Sequence, residues 1–100
     1  MISYSDEGGS LEVLVEVSNF DASNAASIKE RFRELSEIKP AKPVRVDLSA
    51  VDFIDSSGIG ALLSFFKATN QNLTLVGPKP AVVSVLELLR LHRVFPIEAE

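Results

Sequence analysis

The fold is decided by the segment Val44-Arg-Val-Asp-Leu-Ser-Ala-Val-Asp-Phe-Ile-Asp-Ser-Ser-Gly-Ile-Gly-Ala-Leu-Leu63. Its first five residues alternate between apolar and polar side chains, as a half-buried strand does, and Phe53-Ile54 ends a second short apolar run. Asp55-Ser-Ser-Gly58 has the composition of a turn or of a helix N-terminus. The apolar residues behind it recur at helical spacing: Ile59, Leu62, Leu63 and Phe66. The segment therefore predicts a strand, a turn and a helix in succession.

The residues before this segment predict a hairpin and an amphipathic helix. Residues 2–5 and 11–17 flank the turn signal Gly8-Gly9-Ser10. Asn19-Phe-Asp-Ala-Ser-Asn24 is dense in residues that cap helices. The apolar stripe of the helix that follows is Ala25, Ile28, Phe32, Leu35 and Ile38. Pro40-Ala-Lys-Pro43 is expected to stop this helix and turn the chain back.

The residues after the segment predict a further strand, helix and strand. Residues 73–76 favour a strand closed by Gly77-Pro-Lys-Pro80, in which Pro80 suits the first turn of a helix. The buried stripe of that helix is predicted to be Val82, Val85, Leu86 and Leu89. Residues 94–97 are a candidate final strand. The order ββαβαβαβ predicts an α/β fold, in which helices pack on a mixed sheet of four or five strands.

Length, charge and cysteine content exclude several classes of protein. The chain has 100 residues, a formal net charge of −4 and no cysteine. One domain over residues 1–100 suits that length, disulfides and thiolate metal sites are excluded, and an acidic chain has no electrostatic footprint for nucleic acid. The first residues lack the pattern of a secretory signal, and no apolar run approaches the roughly 18 residues of a membrane span. We therefore expect a cytoplasmic protein without membrane insertion.

Ser56 and Ser57 are the residues through which the segment suggests a function. They lie at a predicted helix N-terminus, where backbone N–H groups lack intrahelical partners and the macrodipole is positive. A phosphate there would meet unpaired donors and would add about −1.5 to −2 charge beside Asp55, so the position suits a switch. Spacing alone nevertheless favours a structural interpretation, in which Ser56 only caps the helix and Gly58 only provides steric room.

The segment resembles the signature of the STAS domain family. That signature is a strand ending in Asp-Leu-Ser, a short spacer, an apolar pair, Asp-Ser-Ser/Thr-Gly-Leu-Gly and an apolar helix. Every part is present here, with Ile59 in place of the usual leucine, and Asp21 and the Gly77-Pro-Lys-Pro80 turn are also similar to the family pattern. Two departures are Ser18-Asn-Phe-Asp21, where the family has Gly-Glu-Leu-Asp, and the absence of the family's usual helix after Ile97.

The resemblance implies a binding switch that is not an enzyme. In the antagonist branch of the family the serine directly after the aspartate is phosphorylated, which corresponds to Ser56. The implied function is that of a bacterial anti-sigma factor antagonist: unphosphorylated, it sequesters an anti-sigma factor serine kinase, and phosphorylated, it releases the kinase until a metal-dependent serine phosphatase restores it. The residues expected to flank the switch or shape the docking surface are Asp21, Asp55, Ser57, Gly58, Ile59 and Gly60. We expect a monomer or weak dimer that needs no cofactor and no metal.

Two alternatives come from other classes of protein. One is a STAS subunit of a transporter ATPase or of a stress-signalling assembly, in which phosphorylation is absent. The other is a hydrolase with Ser56 or Ser57 as the nucleophile. It would need a base, yet the single histidine, His92, lies in a polar stretch and no Gly-x-Ser-x-Gly elbow is present.

Three aspartates and three phenylalanines complete the candidates. The aspartates could suggest Mg²⁺ as in receiver domains, but capping or structural roles are favoured for Asp47, Asp52 and Asp55. The phenylalanines are expected in the core, with one of them open to a partner: Phe53, Phe65 and Phe66. Phe65 is the candidate for exposure because it lies off the stripe of the second helix.

Overall fold

The computed structural model describes residues 1–38 and 42–99 of the chain. In order, the elements within these residues are β1 (Ile2–Glu7), β2 (Ser10–Val15), β3 (Asn19–Phe20), α1 (Ala25–Ile38), β4 (Val44–Asp47), β5 (Phe53–Ile54), α2 (Ser56–Ala68), β6 (Leu73–Val76), α3 (Pro80–Leu88), a 3₁₀ turn (Leu91–Arg93) and β7 (Ile97–Glu98). The predicted ββαβαβαβ order is confirmed, and the short strands β3 and β5 are added to it. The predicted proline stop after the first helix falls partly outside the described residues.

The main sheet is mixed, as predicted. Within the described residues it has five strands in the order β1-β2-β4-β6-β7. β1 and β2 form the predicted antiparallel hairpin, in which Gly8 takes a positive φ of 61° that glycine adopts without strain. The pairs β2–β4, β4–β6 and β6–β7 are parallel. Parallel pairing follows from the helical crossovers, which carry the chain over the sheet before each new strand.

The helices bury their apolar faces against this sheet and against each other. α1 packs along α2, and the ring of Phe32 stacks on that of Phe65 with centroids 4.3 Å apart and planes 9° from parallel. α2 is therefore covered on more than one side. Its buried residues form a wider band than a single stripe: Gly58, Ile59, Ala61, Leu62, Phe65 and Phe66.

This packing corrects the prediction for the phenylalanines. Phe65 is only 1% exposed, because α1 covers the side of α2 that we expected to face a partner. Phe53, which we placed in the core, is 65% exposed. Successive side chains of a strand point to opposite faces, so the burial of Ile54 turns Phe53 outward.

Two helical stripes are shorter than predicted. Ile38 is the last residue of α1 and Leu89 is the C-cap of α3, and both are exposed. Helical periodicity identifies a face of a helix, but it does not show where the surface that covers this face ends.

The final strand is also shorter than predicted. Residues 94–97 were expected to form it, but β7 begins only at Ile97. The N–H groups of Val94 and Phe95 donate to the carbonyl oxygen of Leu91 at 3.0 and 2.9 Å, which holds them in the turn that follows α3 and not in the sheet. Phe95 instead turns its ring into the core, with its centroid 4.9 Å from that of Phe66.

Candidate functional site

The candidate site is built where two distant segments meet in a small parallel ladder. β3 and β5 pair with Asn19 opposite Phe53 and Phe20 opposite Ile54. The N–H of Asp55 donates to the carbonyl oxygen of Phe20 at 3.2 Å, which continues the ladder by one step. Because parallel strands end at the same edge, this pairing places Asp21 and Asp55 side by side, directly after the two strands.

Asp55 is the N-cap of α2. Its backbone is extended, with φ of −113° and ψ of −173°, and its Oδ1 accepts hydrogen bonds from the N–H groups of Ser57 at 2.8 Å and Gly58 at 3.1 Å. The structural interpretation of Ser56 as the cap is therefore wrong. Ser56 is the first residue of α2 and is exposed, which confirms its predicted position at a helix N-terminus on the surface.

The cap changes the electrostatic argument for a phosphate at Ser56. We expected the phosphate to meet unpaired N–H groups, but those of Ser57 and Gly58 are already bound by Asp55. A phosphate would have to displace this carboxylate to reach them, or else remain beside it as a like charge. The position is thus more sensitive to added negative charge than the sequence suggested.

Gly58 and Ile59 support the site from beneath. A Cβ atom on Gly58 would lie 2.4 Å from the carbonyl oxygen of Phe20 and 2.8 Å from Cγ1 of Ile54, so Gly58 provides the steric room that was proposed for it. Ile59 is 4% exposed and belongs to the core. Neither residue presents a side chain on the surface, so either would shape a docking surface only through the backbone and the core.

Ser57 and Gly60 line a shallow groove between α1 and α2. Ser57 is half-buried, whereas Gly60 is exposed, and an added Cβ on Gly60 would meet no atom within 4 Å. The α1 side of the groove carries mainly alanines, with Lys29 at its rim. No contact within the described residues requires glycine at position 60.

Asp21 is held in the turn that leads from β3 into α1. Its Oδ1 accepts hydrogen bonds from the hydroxyl of Ser23 at 2.5 Å and from the N–H of Ser23 at 3.0 Å. These two bonds, the hydroxyl bond first, lower the pKa of the Asp21 carboxyl from its ordinary value because they favour the charged form. Asp21 therefore carries its negative charge next to Asp55.

Asn24, which we did not single out, fixes this turn. Its Oδ1 accepts from the N–H of Asp21 at 3.1 Å, and its Nδ2 donates to the carbonyl oxygen of Asn19 at 2.7 Å. One side chain thus joins the start of β3 to the turn before α1. The sequence signal was available, since asparagine directly before an apolar helical stripe is a typical capping residue.

The three aspartates considered for Mg²⁺ have separate structural roles. Asp47 accepts from the N–H of Ser49 at 2.8 Å, Asp52 pairs with Lys79 at 2.5 Å, and Asp55 caps α2. In the part of the chain that the structure describes, no three acidic or histidine side chains group closely enough to hold a metal ion. His92 lies exposed in the 3₁₀ turn, and within residues 1–38 and 42–99 no side-chain hydrogen bond joins it to a serine.

None of the helices in residues 1–38 and 42–99 has the length and apolar character to cross a bilayer.

Comparison with known families finds a match that covers both the fold and the segment that carries the candidate site. The STAS domain profile matches residues 10–100, which include both strands of the small ladder and the whole of α2. The chain belongs to the STAS domain family. This confirms the resemblance drawn from the Asp-Ser-Ser-Gly segment.

Other STAS proteins resemble the chain in sequence and in structure. An anti-sigma-B factor antagonist of Listeria monocytogenes is 30% identical over 81 residues, covering 78% of this chain and 70% of the relative. A solved anti-sigma-factor antagonist (STAS) domain protein from Planctomyces limnophilus superposes with a TM-score of 0.87 at 21% identity, covering 99% of this chain and 90% of that one. The Bacillus cell fate determinant SpoIIAA in its phosphorylated form gives a TM-score of 0.68 at 15% identity, covering 100% and 93%.

Proposed function

We propose that this STAS protein is an anti-sigma factor antagonist whose switch is the phosphorylation of Ser56. In the unphosphorylated form it binds and sequesters an anti-sigma factor serine kinase. The kinase transfers a phosphoryl group from ATP to the Ser56 hydroxyl, the modified protein dissociates, and a metal-dependent serine phosphatase removes the phosphate. The protein is a substrate in this cycle and catalyses no step of it.

The observation that carries the proposal is the position of Ser56. Ser56 is exposed as the first residue of α2, next to a carboxylate that already accepts from the N–H groups of Ser57 and Gly58. A kinase can reach such a hydroxyl without unfolding the helix. The name of the Listeria relative and the phosphorylated form of the Bacillus protein support the same assignment.

The site also explains how a phosphate would weaken binding. Docking removes water from Asp55 and Ser56, and a phosphate there adds about −1.5 to −2 charge that must be desolvated as well. Since the capping carboxylate already holds the N–H groups of Ser57 and Gly58, these two donors do not compensate the charge of the phosphate. The added charge therefore opposes docking.

The test combines binding with mapping of the phosphate. The purified protein is mixed with each anti-sigma factor serine kinase encoded in its source genome, with and without ATP, and binding is measured by calorimetry. Mass spectrometry then locates the phosphate. Binding without ATP, followed by phosphate on Ser56 and dissociation, supports the proposal. Phosphate on Ser57 would move the switch by one residue, whereas phosphate on neither serine together with tight binding to another protein would assign the chain to the unphosphorylated STAS subunits.

A further inference from the structure

Phe53 is the one phenylalanine that the core does not use. The other five of the six phenylalanines are each at most 8% exposed, whereas Phe53 is 65% exposed. Aromatic residues, phenylalanine among them, are enriched at protein interfaces relative to the rest of the surface. The ring is not at a chain end, since Phe53 is the first residue of β5 and pairs with Asn19 of β3.

The position of Phe53 connects it to the candidate switch. Only Ile54 and Asp55 separate it from Ser56, so the Cα atoms of Phe53 and Ser56 lie within about 11 Å of each other. β5 and the N-terminus of α2 join without an intervening loop, because Asp55 alone stands between Ile54 and Ser56. Phe53 and Ser56 are both exposed on this short stretch.

The charges around Phe53 suit an apolar contact. Asp52, its neighbour in the chain, is neutralised by Lys79, whose Nζ lies 2.5 Å from the Asp52 carboxylate at the start of α3. On the other side stands Asp55, with Oδ1 directed to the first turn of α2. The ring is thus flanked by one paired carboxylate and one capping carboxylate.

We infer that Phe53 is the anchor of the docking surface and inserts into an apolar pocket of the partner. The inference rests on the proposed function, because the partner meant is the anti-sigma factor serine kinase. It also explains how phosphorylation would release the partner. A strongly hydrated phosphate on Ser56 keeps water at the rim of that pocket and so opposes insertion of the ring. The partner is expected to present an apolar cavity of the size of a phenyl ring beside its active site.

Fluorine NMR of the full chain tests directly whether the ring of Phe53 enters the partner. Incorporation of 4-fluorophenylalanine labels all six phenylalanines, and Phe53→Leu identifies the resonance of position 53. A soluble paramagnetic agent should broaden this resonance most strongly in the free protein, because the other five rings are buried. When the unlabelled kinase is added without ATP, the Phe53 resonance should become protected. With protein phosphorylated on Ser56, it should stay accessible.

Binding of substituted proteins gives a second readout. Phe53→Ala should raise the dissociation constant for the kinase about 10- to 100-fold, while the midpoint of urea unfolding stays close to that of the wild type. Leu88→Ala is the matched control, since Leu88 is 82% exposed but lies far from Phe53. It is the last residue of α3, about 12 Å along the helix from Pro80, whereas Lys79, which pairs with Asp52, lies at the opposite end. It should leave the dissociation constant within about twofold, the level expected of a side chain outside the interface.

The outcomes separate this inference from the proposed function. If wild-type protein binds the kinase but the Phe53 resonance stays accessible, or if Phe53→Ala binds as tightly as wild type, the anchor is refuted and the proposed function stands. If wild-type protein binds none of the kinases, both are refuted. Protection of Phe53 together with weakened binding of Phe53→Ala supports the anchor.

Discussion

Gly58 packs directly on the backbone of Phe20, so closely that a Cβ on Gly58 would lie 2.4 Å from the Phe20 carbonyl oxygen. The same oxygen accepts the N–H of Asp55 at 3.2 Å. The start of α2 is therefore held against β3 by a backbone hydrogen bond and by a contact that leaves no room for a side chain. This contact fixes the distance between the turn at Asp21 and the start of α2, which together form the candidate site.

Substitution by alanine should have opposite effects on stability at Gly58 and Gly60 of α2. Gly58→Ala should lower the free energy of unfolding by about 1–3 kcal/mol or more, because the methyl group overlaps backbone and the Ile54 side chain. Gly60→Ala should raise it by about 0.5–1 kcal/mol, because the added Cβ meets nothing within 4 Å and alanine favours a helix. Urea denaturation measures both changes. Equal effects at the two positions would contradict this account of Gly58.

The cap of α2 should depend on Asp55 and not on Ser56. Asp55→Ala removes the acceptor of two hydrogen bonds and should cost about 0.5–2 kcal/mol, whereas Asp55→Asn should retain most of the stability. Ser56→Ala should stay within about 0.5 kcal/mol of wild type, since Ser56 is an exposed first-turn residue. Thermal or urea unfolding provides the comparison. A larger loss for Ser56→Ala than for Asp55→Ala would restore Ser56 as the cap.

The carboxyl of Asp21 should titrate below its ordinary pKa, and Ser23 should be the reason. In Ser23→Ala the hydroxyl bond is lost while the backbone bond remains, so the pKa of Asp21 should rise towards 3.8 without fully reaching it. Because the folded-state pKa is lowered, the stabilisation linked to this charge is present above pH 3.8 and is lost as the pH falls through the folded-state pKa. Carbon-detected NMR of the Asp21 side chain follows the titration. An unchanged pKa in Ser23→Ala would refute the assigned cause.

Charge at position 56 should control binding to the kinase. Ser56→Glu and Ser56→Asp should weaken binding, because each adds like charge beside Asp55 on a surface that must be desolvated. A cost of 1.4 kcal/mol is already tenfold in affinity. Ser56→Ala should bind within severalfold of wild type and should not be released by ATP. Calorimetry with the purified kinase measures these affinities, and Ser57→Glu tests the neighbouring serine. A stronger effect at Ser57 than at Ser56 would place the switch at Ser57.

The protein should not hydrolyse esters by means of Ser56. None of the side-chain hydrogen bonds in residues 1–38 and 42–99 joins His92 to Ser56 or Ser57, so neither hydroxyl has an activating base there. Purified wild-type protein and Ser56→Ala should therefore show the same background rate with a chromogenic ester. Activity that is present in wild type and lost in folded Ser56→Ala would favour the hydrolase alternative.

The order of elements and the place of the candidate switch were predictable from sequence because their signals are local. Apolar spacing indicates a helix, alternation indicates a strand, and Asp55-Ser-Ser-Gly58 indicates a helix start from four consecutive residues. The hairpin and the glycine at its turn follow from the same kind of short-range chemistry. These features depend mainly on residues that are close together in the chain.

Tertiary structure decided which residues form the surface. Asp21 and Asp55 are neighbours only because β3 pairs with β5, and no local pattern predicts a pairing between segments 34 residues apart, as in Asn19 with Phe53. Burial depends in the same way on the elements that cover a residue. α1 buries Phe65, while nothing within the described residues covers the outer face of β5, so Phe53 remains exposed. Long-range packing, which sequence periodicity does not encode, therefore separates the buried residues from the exposed ones.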